Sequence, residues 1–549
     1  MARESLLTRD SLLNRFGSFL AQYNDQTERV KAIESALNGP AGDYARKQLG
    51  NLLVERWVPL KVLVPRSYQK WEAPVRDAMM YVVSKLSAAR LAPKILEQIT
   101  IVNVPPEQRL LQIIAKVPAL QKLGQVIARN RHLRPSLRKA LAKLENGIRD
   151  VTADEICAII RRELGSRLET YDVEIEPAIL SEASVSAVVR FTFHHPGSRQ
   201  RESGVFKVLK PNIPEYFKED MDILQGLAEF FVEEPHSYGV ASNILTDTFM
   251  KVRRLLEHEV DFVREQKTLL RACAAYRGIP GVRVPQLISP LCTSRFTAMT
   301  EEQGTKVTDA LARMSAFERN QVSALLIETL VSVPLFAADG NGLFHADPHA
   351  GNLLYDVHSQ ELIVLDWALT ERLSRAQRRH LALLVILVGL RDAVGVSSQL
   401  LALTELDSRG RAQQLPKVRQ LVTRFFDELP LKRFPGAVEA MQLLENVAFS
   451  GIRFSSPLIM FSKAIFTLDG ILDEISHGDV SMGRTLGLVL ARRWLTGASQ
   501  FGSPLDVNDW LKIQASVMFF GARLLVRSEQ ALLNNLIGNQ SVLTQIEGA

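Results

Sequence analysis

Between Asn352 and Asp366 the chain has room for little except a β-hairpin, and this spacing constrains the fold more than any other feature. Leu353-Leu354-Tyr355-Asp356 and Glu361-Leu362-Ile363-Val364-Leu365 read as two short strands, with the turn-forming His358-Ser359-Gln360 between them. A hairpin of that length swings Asp366 back beside Asn352. Five positions before Asn352, in Phe344-His345-Ala346-Asp347-Pro348-His349-Ala350-Gly351-Asn352, stands another carboxylate, Asp347. Asn352 and Asp366 would then turn two oxygen ligands toward one metal–phosphate cluster. Magnesium takes few protein carboxylates and keeps its other positions for water and phosphate, so one Asp and one Asn amide suffice.

The order Asp347, Asn352, Asp366 is that of a protein-kinase-like site, which activates a hydroxyl and holds magnesium on ATP. Two other readings compete. His-x-Asp-x-His resembles a transition-metal cluster, because imidazole and carboxylate are ordinary ligands of such metals. It can also be a polar loop without chemistry. The metal reading leaves Gly351, Asn352 and Asp366 without a purpose, and the kinase-like order is preferred.

At 549 residues the chain suggests two to four units. A formal charge of +6 is small for this length. The basic residues Arg129, Arg131, Arg134, Arg138 and Lys139 recur at helical intervals, so solvated helix faces are expected rather than a nucleic-acid surface. Cys157, Cys273 and Cys292 are far apart, which excludes a zinc ribbon or disulfide scaffold and suits a reducing, cytoplasmic compartment. The N-terminus lacks the apolar core of a secretory signal. The most apolar runs, Leu381–Leu390 and Ile513–Ala522, fall short of the roughly 20 residues of a membrane span and read as buried helices.

Residues 1–115 read as a helical extension broken at Pro93, Pro105 and Pro106. A basic helical segment follows to about Arg149, and Ser136 is placed to cap a helix starting at Leu137. From about Glu174 the character changes. Val188–Phe193 and Gly204–Leu209, joined by His195-Pro196-Gly197-Ser198, form a hairpin; a long helical region runs to Ala275, and strands are expected near Val282–Pro285 and Arg295–Met299. After Arg372 everything reads helical. The fold class is α+β, two-lobed and protein-kinase-like, with a helical N-terminal extension and an all-helical C-terminal region. The expected divisions are 1–115, 116–173 (the segment holding Lys122), 174–303 (N-lobe) and 304–549 (C-lobe with its helical extension).

With these residues in place the chain resembles the UbiB/ADCK family of atypical kinases over roughly residues 115–370. Lys122-Leu123-Gly124-Gln125 matches that family's KxGQ signature. The resemblance implies that this helix lies over the nucleotide site, with Lys122 and Gln125 near the nucleotide, and obstructs protein substrates. It assigns Ser181–Ser186 to an alanine-rich loop over the phosphates, with Ala183 and Ser184 contacting them. Glu182 departs from the pattern and would set a carboxylate near phosphate. Lys207 stands at the place of the strand lysine on the α/β phosphates, and a Lys inside an apolar strand must find an anion. In Glu259-Val260-Asp261-Phe262-Val263-Arg264-Glu265 the resemblance pairs Glu265 with Lys207, and turns Glu259 and Asp261 toward Lys122 or the metal. Glu301 falls in the hinge segment Met299–Gly304, where adenine bonds to backbone.

By the same resemblance Asp347 is the base or hydroxyl-orienting residue, and Asn352 and Asp366 are the magnesium ligands. His345 and His349 are expected to shape the loop by hydrogen bonding. The third motif departs from Asp-Phe-Gly: Asp366-Trp367-Ala368 keeps the carboxylate, but Ala368 adopts positive φ less easily than Gly, so the segment should switch less readily. The implied activity is that of an ATP- and magnesium-dependent kinase or ATPase supporting ubiquinone or other prenyl-lipid biosynthesis. Its implied partners are a nucleotide, a quinone or prenyl-lipid precursor, biosynthetic enzymes and a peripheral membrane surface, with no nucleic acid. Two alternatives are a nucleotide-binding pseudokinase scaffold, favoured by Glu182 and Ala368, and a small-molecule phosphotransferase of the aminoglycoside-kinase type, disfavoured by Lys122-Leu123-Gly124-Gln125.

Overall fold

The computed structural model describes residues 20–59, 72–101, 103–128, 135–142, 151–198, 200–211, 213–233, 242–312, 314–336, 342–430, 435–476, 504–506 and 508–518, with a few isolated positions between. The chain divides into two compact units, Met1–Arg264 with Ile288–Glu301, and Glu265–Leu287 with Glu302–Ala549. This differs from the fourfold division expected from sequence. The N-terminal helices share a unit with the first sheet, while 265–287 joins the second unit.

In the first unit, helices α1 (Gln26–Asn38), α2 (Gly42–Leu52), α3 (Glu72–Lys85), α4 (Ala88–Thr100), α5 (Pro106–Ile114), α6 (Pro118–Ala128) and α7 (Pro135–Ala142) precede α8 (Ala153–Leu164). Strands β1 (Glu174–Glu182), β2 (Ser186–His194) and β3 (Arg201–Leu209) follow, then α9 (Ile213–Glu233) and α10 (Ser242–Val260). Antiparallel β1-β2-β3 is completed by β5 (Phe296–Thr300). Alternation along β2 and β3 sends Phe191, Phe193 and Phe206 into one core with Phe296 and with Ile156, Ile159, Ile160 and Leu164 of α8. Phe191 and Phe206 stack with centroids 3.8 Å apart, and a Cβ on Gly204 would lie 2.6 Å from the Phe191 ring, so glycine is what admits that ring. A separate core joins the N-terminal helices to Leu224, Leu227 and Phe231 of α9 and Val252 and Leu256 of α10.

Four local expectations need correction here. Pro93 does not break the helical extension but lies inside α4. Residues 174–182 are a strand, so Ser181 and Glu182 belong to β1 and the loop is only Ala183–Val185. Ser136 lies inside α7 and donates to Glu107 Oε1 at 3.0 Å, and is not a cap. The helix at 508–518 is not buried throughout: Ile513 is, but Val517 and Met518 are exposed, and 519–522 lie outside the described residues.

The second unit holds α11 (Phe262–Tyr276, whose first turn belongs to the first unit), the sheet β4-β9-β8-β6, and the two-stranded pair β10-β7. The bounds are β4 Val282–Arg283, β6 Thr305–Lys306, β7 Gly342–His345, β8 Leu353–Asp356, β9 Glu361–Val364 and β10 Thr370–Leu373. α12 (Ala316–Ile327) opens on a Ser315–Glu318 capping box. After β10 the described chain is helical: α13 (Arg375–Gly389), α14 (Ala393–Ala402), α15 (Ser408–Glu428), α16 (Ala437–Phe449) and α17 (Ser456–Ser476). Leu381, Ala382, Leu383, Leu384 and Val385 of α13 are buried, as the apolar run implied.

Candidate catalytic and nucleotide-binding residues

The hairpin forms where the spacing places it. Leu353 pairs with Val364 and Tyr355 with Leu362, and the turn is closed by Asp356, whose Oδ1 accepts from the N–H groups of His358 and Ser359. At the open end Leu365 N–H donates to the Asn352 carbonyl at 2.8 Å, so Asp366 follows directly beside Asn352. The pair β7–β10 closes the other side, with Ala346 N–H donating to Leu369 O at 3.1 Å. Two ladders therefore hold the loop 346–352 and the segment 365–369 together.

Both histidines shape the loop. His345 is buried; its Nδ1 accepts from Asp347 N–H at 3.2 Å and its Nε2 faces the Leu365 carbonyl at 3.0 Å. This pattern is met by the neutral ring protonated at Nε2. Burial pulls its pKa below the ordinary histidine value, against the Leu365 carbonyl and the nearby Asp366 and Asp347, which favour the proton. His349 Nδ1 accepts from Gly351 N–H at 3.1 Å. With both nitrogens of His345 engaged, the transition-metal reading loses one of its ligands. Among the described residues no group of three or more His, Cys, Asp or Glu could hold a metal ion.

Asn352 Nδ2 donates to the Asp347 carbonyl at 3.2 Å, so the oxygen of that side chain is its acceptor atom, Oδ1. Asp366 is exposed and has φ of 51°, a left-handed conformation that Asp tolerates better than most residues. Its Oδ1 accepts from Ala368 N–H at 3.3 Å. The positive φ thus falls on Asp366 and not on Ala368, so Ala in place of Gly carries no strain here. The segment is held instead by Trp367: its Nε1–H donates to Val364 O at 3.0 Å, its carbonyl accepts from Thr268 Oγ1 at 2.8 Å, and its ring contacts Tyr276 and His345.

In the first unit Lys122 of α6 is ion-paired to Glu259 Oε1 of α10, and Ser184 Oγ donates to Glu259 Oε2 at 3.3 Å. The KxGQ helix, the short loop and the ExD segment thus meet on one carboxylate. Asp261 accepts from Arg264 N–H at 2.9 Å at the start of α11. Ala183 is exposed, with its N–H donating to Ser186 O at 2.8 Å. Gln125 lies on α6, but its side chain is outside the described residues. Glu182, expected to oppose phosphate, is ion-paired to Lys210 Nζ at 2.8 Å with both side chains buried. Lys210 was missed in the sequence; a lysine ending an apolar strand opposite an unexplained acid was the available signal.

Lys207 is on β3, between Val188 and Thr297, with Nζ 6.0 Å from the centroid of Phe262, within cation–π range. Glu265 is buried and belongs to the second unit. Glu301 donates its N–H to Ser203 O at 3.3 Å and binds Arg190 Nε at 2.7 Å, so its side chain is structural.

A residue absent from the sequence reading reaches Asp347: Lys463 Nζ of α17 is 3.1 Å from Asp347 Oδ1. Its signal was a lone basic residue in an apolar helix.

Residues 143–400 match the ABC1 atypical kinase-like domain. The chain is 28% identical over 362 residues to Arabidopsis thaliana "activity of BC1 complex kinase 7, chloroplastic", covering 64% of this chain and 50% of that protein. It is 27% identical over 270 residues to the "probable protein kinase UbiB" of Haemophilus ducreyi, covering 48% of this chain and 49% of that one. The chain thus spans about half the length of these curated relatives. The structure of Rv3197 with erythromycin from Mycobacterium tuberculosis aligns with a TM-score of 0.42 and 15% identity, over 65% of this chain and 87% of that one.

Proposed function

We propose, from the premise that this chain carries an ABC1 atypical kinase-like domain over residues 143–400, that it binds ATP with magnesium and transfers or hydrolyses the γ-phosphoryl group. The observation that carries this reading is the junction of Asp347, Asn352 and Asp366 at one hairpin end, two carboxylates and an amide oxygen gathered beside a loop that His345 holds by both ring nitrogens. Asn352 Oδ1 and Asp366 are the atoms to hold magnesium. When bound, the ion neutralises charge on the phosphates.

Asp347 orients the acceptor, a hydroxyl or a water, and receives its proton. The acceptor oxygen bonds to the γ-phosphorus as the bond from that phosphorus to the β–γ bridging oxygen breaks, and ADP leaves. Lys207 is assigned to the α/β phosphates and Glu265 to its support, both by resemblance. By the same resemblance the Lys122 helix, tied through Glu259 to Ser184, obstructs protein substrates.

The relatives are named as kinases, one of them a UbiB protein kinase; a role in ubiquinone or prenyl-lipid metabolism at a membrane surface, with phosphorylation of a small molecule or plain hydrolysis as the reaction, rests on the family resemblance of the sequence. A scaffold without turnover is less favoured than the sequence suggested, because Glu182 is neutralised by Lys210 and Ala368 is unstrained. Measuring ADP release with and without magnesium, a quinone-precursor mimic and anionic vesicles tests the proposal. Magnesium-dependent release is expected, and its absence under every condition would leave the scaffold.

A further inference from the structure

We infer that Lys463 is a positioning residue for Asp347, holding the carboxylate in register from a helix beyond the matched domain; the inference rests on the kinase-like reading of Asp347. Lys463 is the one basic residue of α17, Ser456–Ser476, whose sequence is otherwise largely apolar. Its stem lies along the apolar helix while its ammonium is partly exposed, so packing is what brings it to a carboxylate. It lies 3.1 Å from Asp347 Oδ1, with side-chain exposures of 27% and 18%.

A second contact fixes the approach. Phe461, two residues before Lys463, meets Phe344, three residues before Asp347, edge to face with centroids 5.2 Å apart, and both rings are buried. The aromatic pair and the ion pair are two rungs of one contact between α17 and the end of β7. Pro348-His349-Ala350-Gly351, between Asp347 and Asn352, contains no Lys or Arg, so this cation comes from α17 and not from the loop itself. The backbone bond to His345 sets the loop, and Lys463 Nζ engages the carboxylate itself. Charge-assisted bonds from a packed helix aim it well.

The test uses the full chain with Lys463→Met, Lys463→Arg, Asp347→Asn and the double variant Asp347→Asn/Lys463→Met. Misaiming an acceptor-orienting group should lower kcat about 10- to 100-fold. The KM for ATP should stay within about threefold, since ground-state binding is untouched. Lys463→Arg should recover most of the loss, and the double variant should be no slower than Asp347→Asn alone. Wild-type kcat in Lys463→Met, or losses that multiply in the double variant, would overturn the inference. Should the wild type turn over no ATP, the kinase reading falls by itself, and the Lys463–Asp347 link is judged on melting temperatures of the same four proteins. Non-additive losses then support it and additive losses sink it.

Discussion

Asp366 combines the only carboxylate of the proposed magnesium pair with a left-handed backbone, so its side chain and its conformation are both specific to the site. Replacing it with Asn keeps the shape and the tolerance for positive φ while removing the charge. Asp366→Asn is therefore expected to abolish most of the magnesium-dependent thermal shift caused by ATP; an undiminished shift would take Asp366 out of the metal site. His345 makes a prediction of a different kind. Burial keeps its folded pKa low, while the unfolded ring titrates near about 6.5. The folded state resists a proton that the unfolded chain accepts, so this contribution is fully present above that value and is lost as pH falls toward the folded pKa. Melting temperature should fall below about pH 6.5 more steeply in wild type than in His345→Gln, and equal slopes would mean the imidazole is not the group responsible.

At the scale of elements, α6 is held by a buried charge. Asp220 of α9 binds Arg90 Nη1 of α4 at 2.7 Å and accepts from Ala119 N–H at 3.1 Å in the first turn of α6, so one carboxylate ties three helices. Burial pushes its carboxyl up, with Arg90 and the Ala119 N–H pulling the other way. Asp220→Ala leaves the buried Arg90 guanidinium, its side chain only 4% exposed, with the longer Glu219 pair at 3.3 Å and the Lys116 carbonyl as partners, and leaves the Ala119 N–H without its acceptor. The expected loss in urea unfolding is up to about 3 kcal/mol, the lower end of what a broken buried pair costs, with much of it recovered when Arg90→Met and Asp220→Leu are combined. A single variant as stable as wild type would refute the clamp. The segment 366–368 shows a similar economy: Trp367, fully buried, does the holding that a small residue after Asp366 could not.

For the whole molecule, no helix among the described residues is long and apolar enough to cross a membrane, while the chain carries a formal +6. If the protein acts on a prenyl lipid, it meets the substrate at a surface, where each Lys or Arg near anionic headgroups adds about 1 kcal/mol. Flotation should recover it on anionic vesicles at low salt and release it at high salt; recovery in the soluble fraction throughout would remove the membrane from the proposal. Legibility follows the range of the interactions involved. The 353–364 hairpin, the buried helix at 381–385 and the order Asp347, Asn352, Asp366 could be read because strand alternation, turn chemistry and helix period act between near neighbours. β1 was missed because it is an edge strand with Pro177 and bulged pairing, so it shows little alternation. What only the tertiary structure decided is where the charges meet. Arg90 reaches Asp220 from 130 positions away and Lys463 reaches Asp347 from 116. Those pairings depend on which helix packs against which helix or loop, and no local pattern encodes that; the sequence determines that an apolar helix carries a lysine stem, and packing alone selects the anion its ammonium reaches.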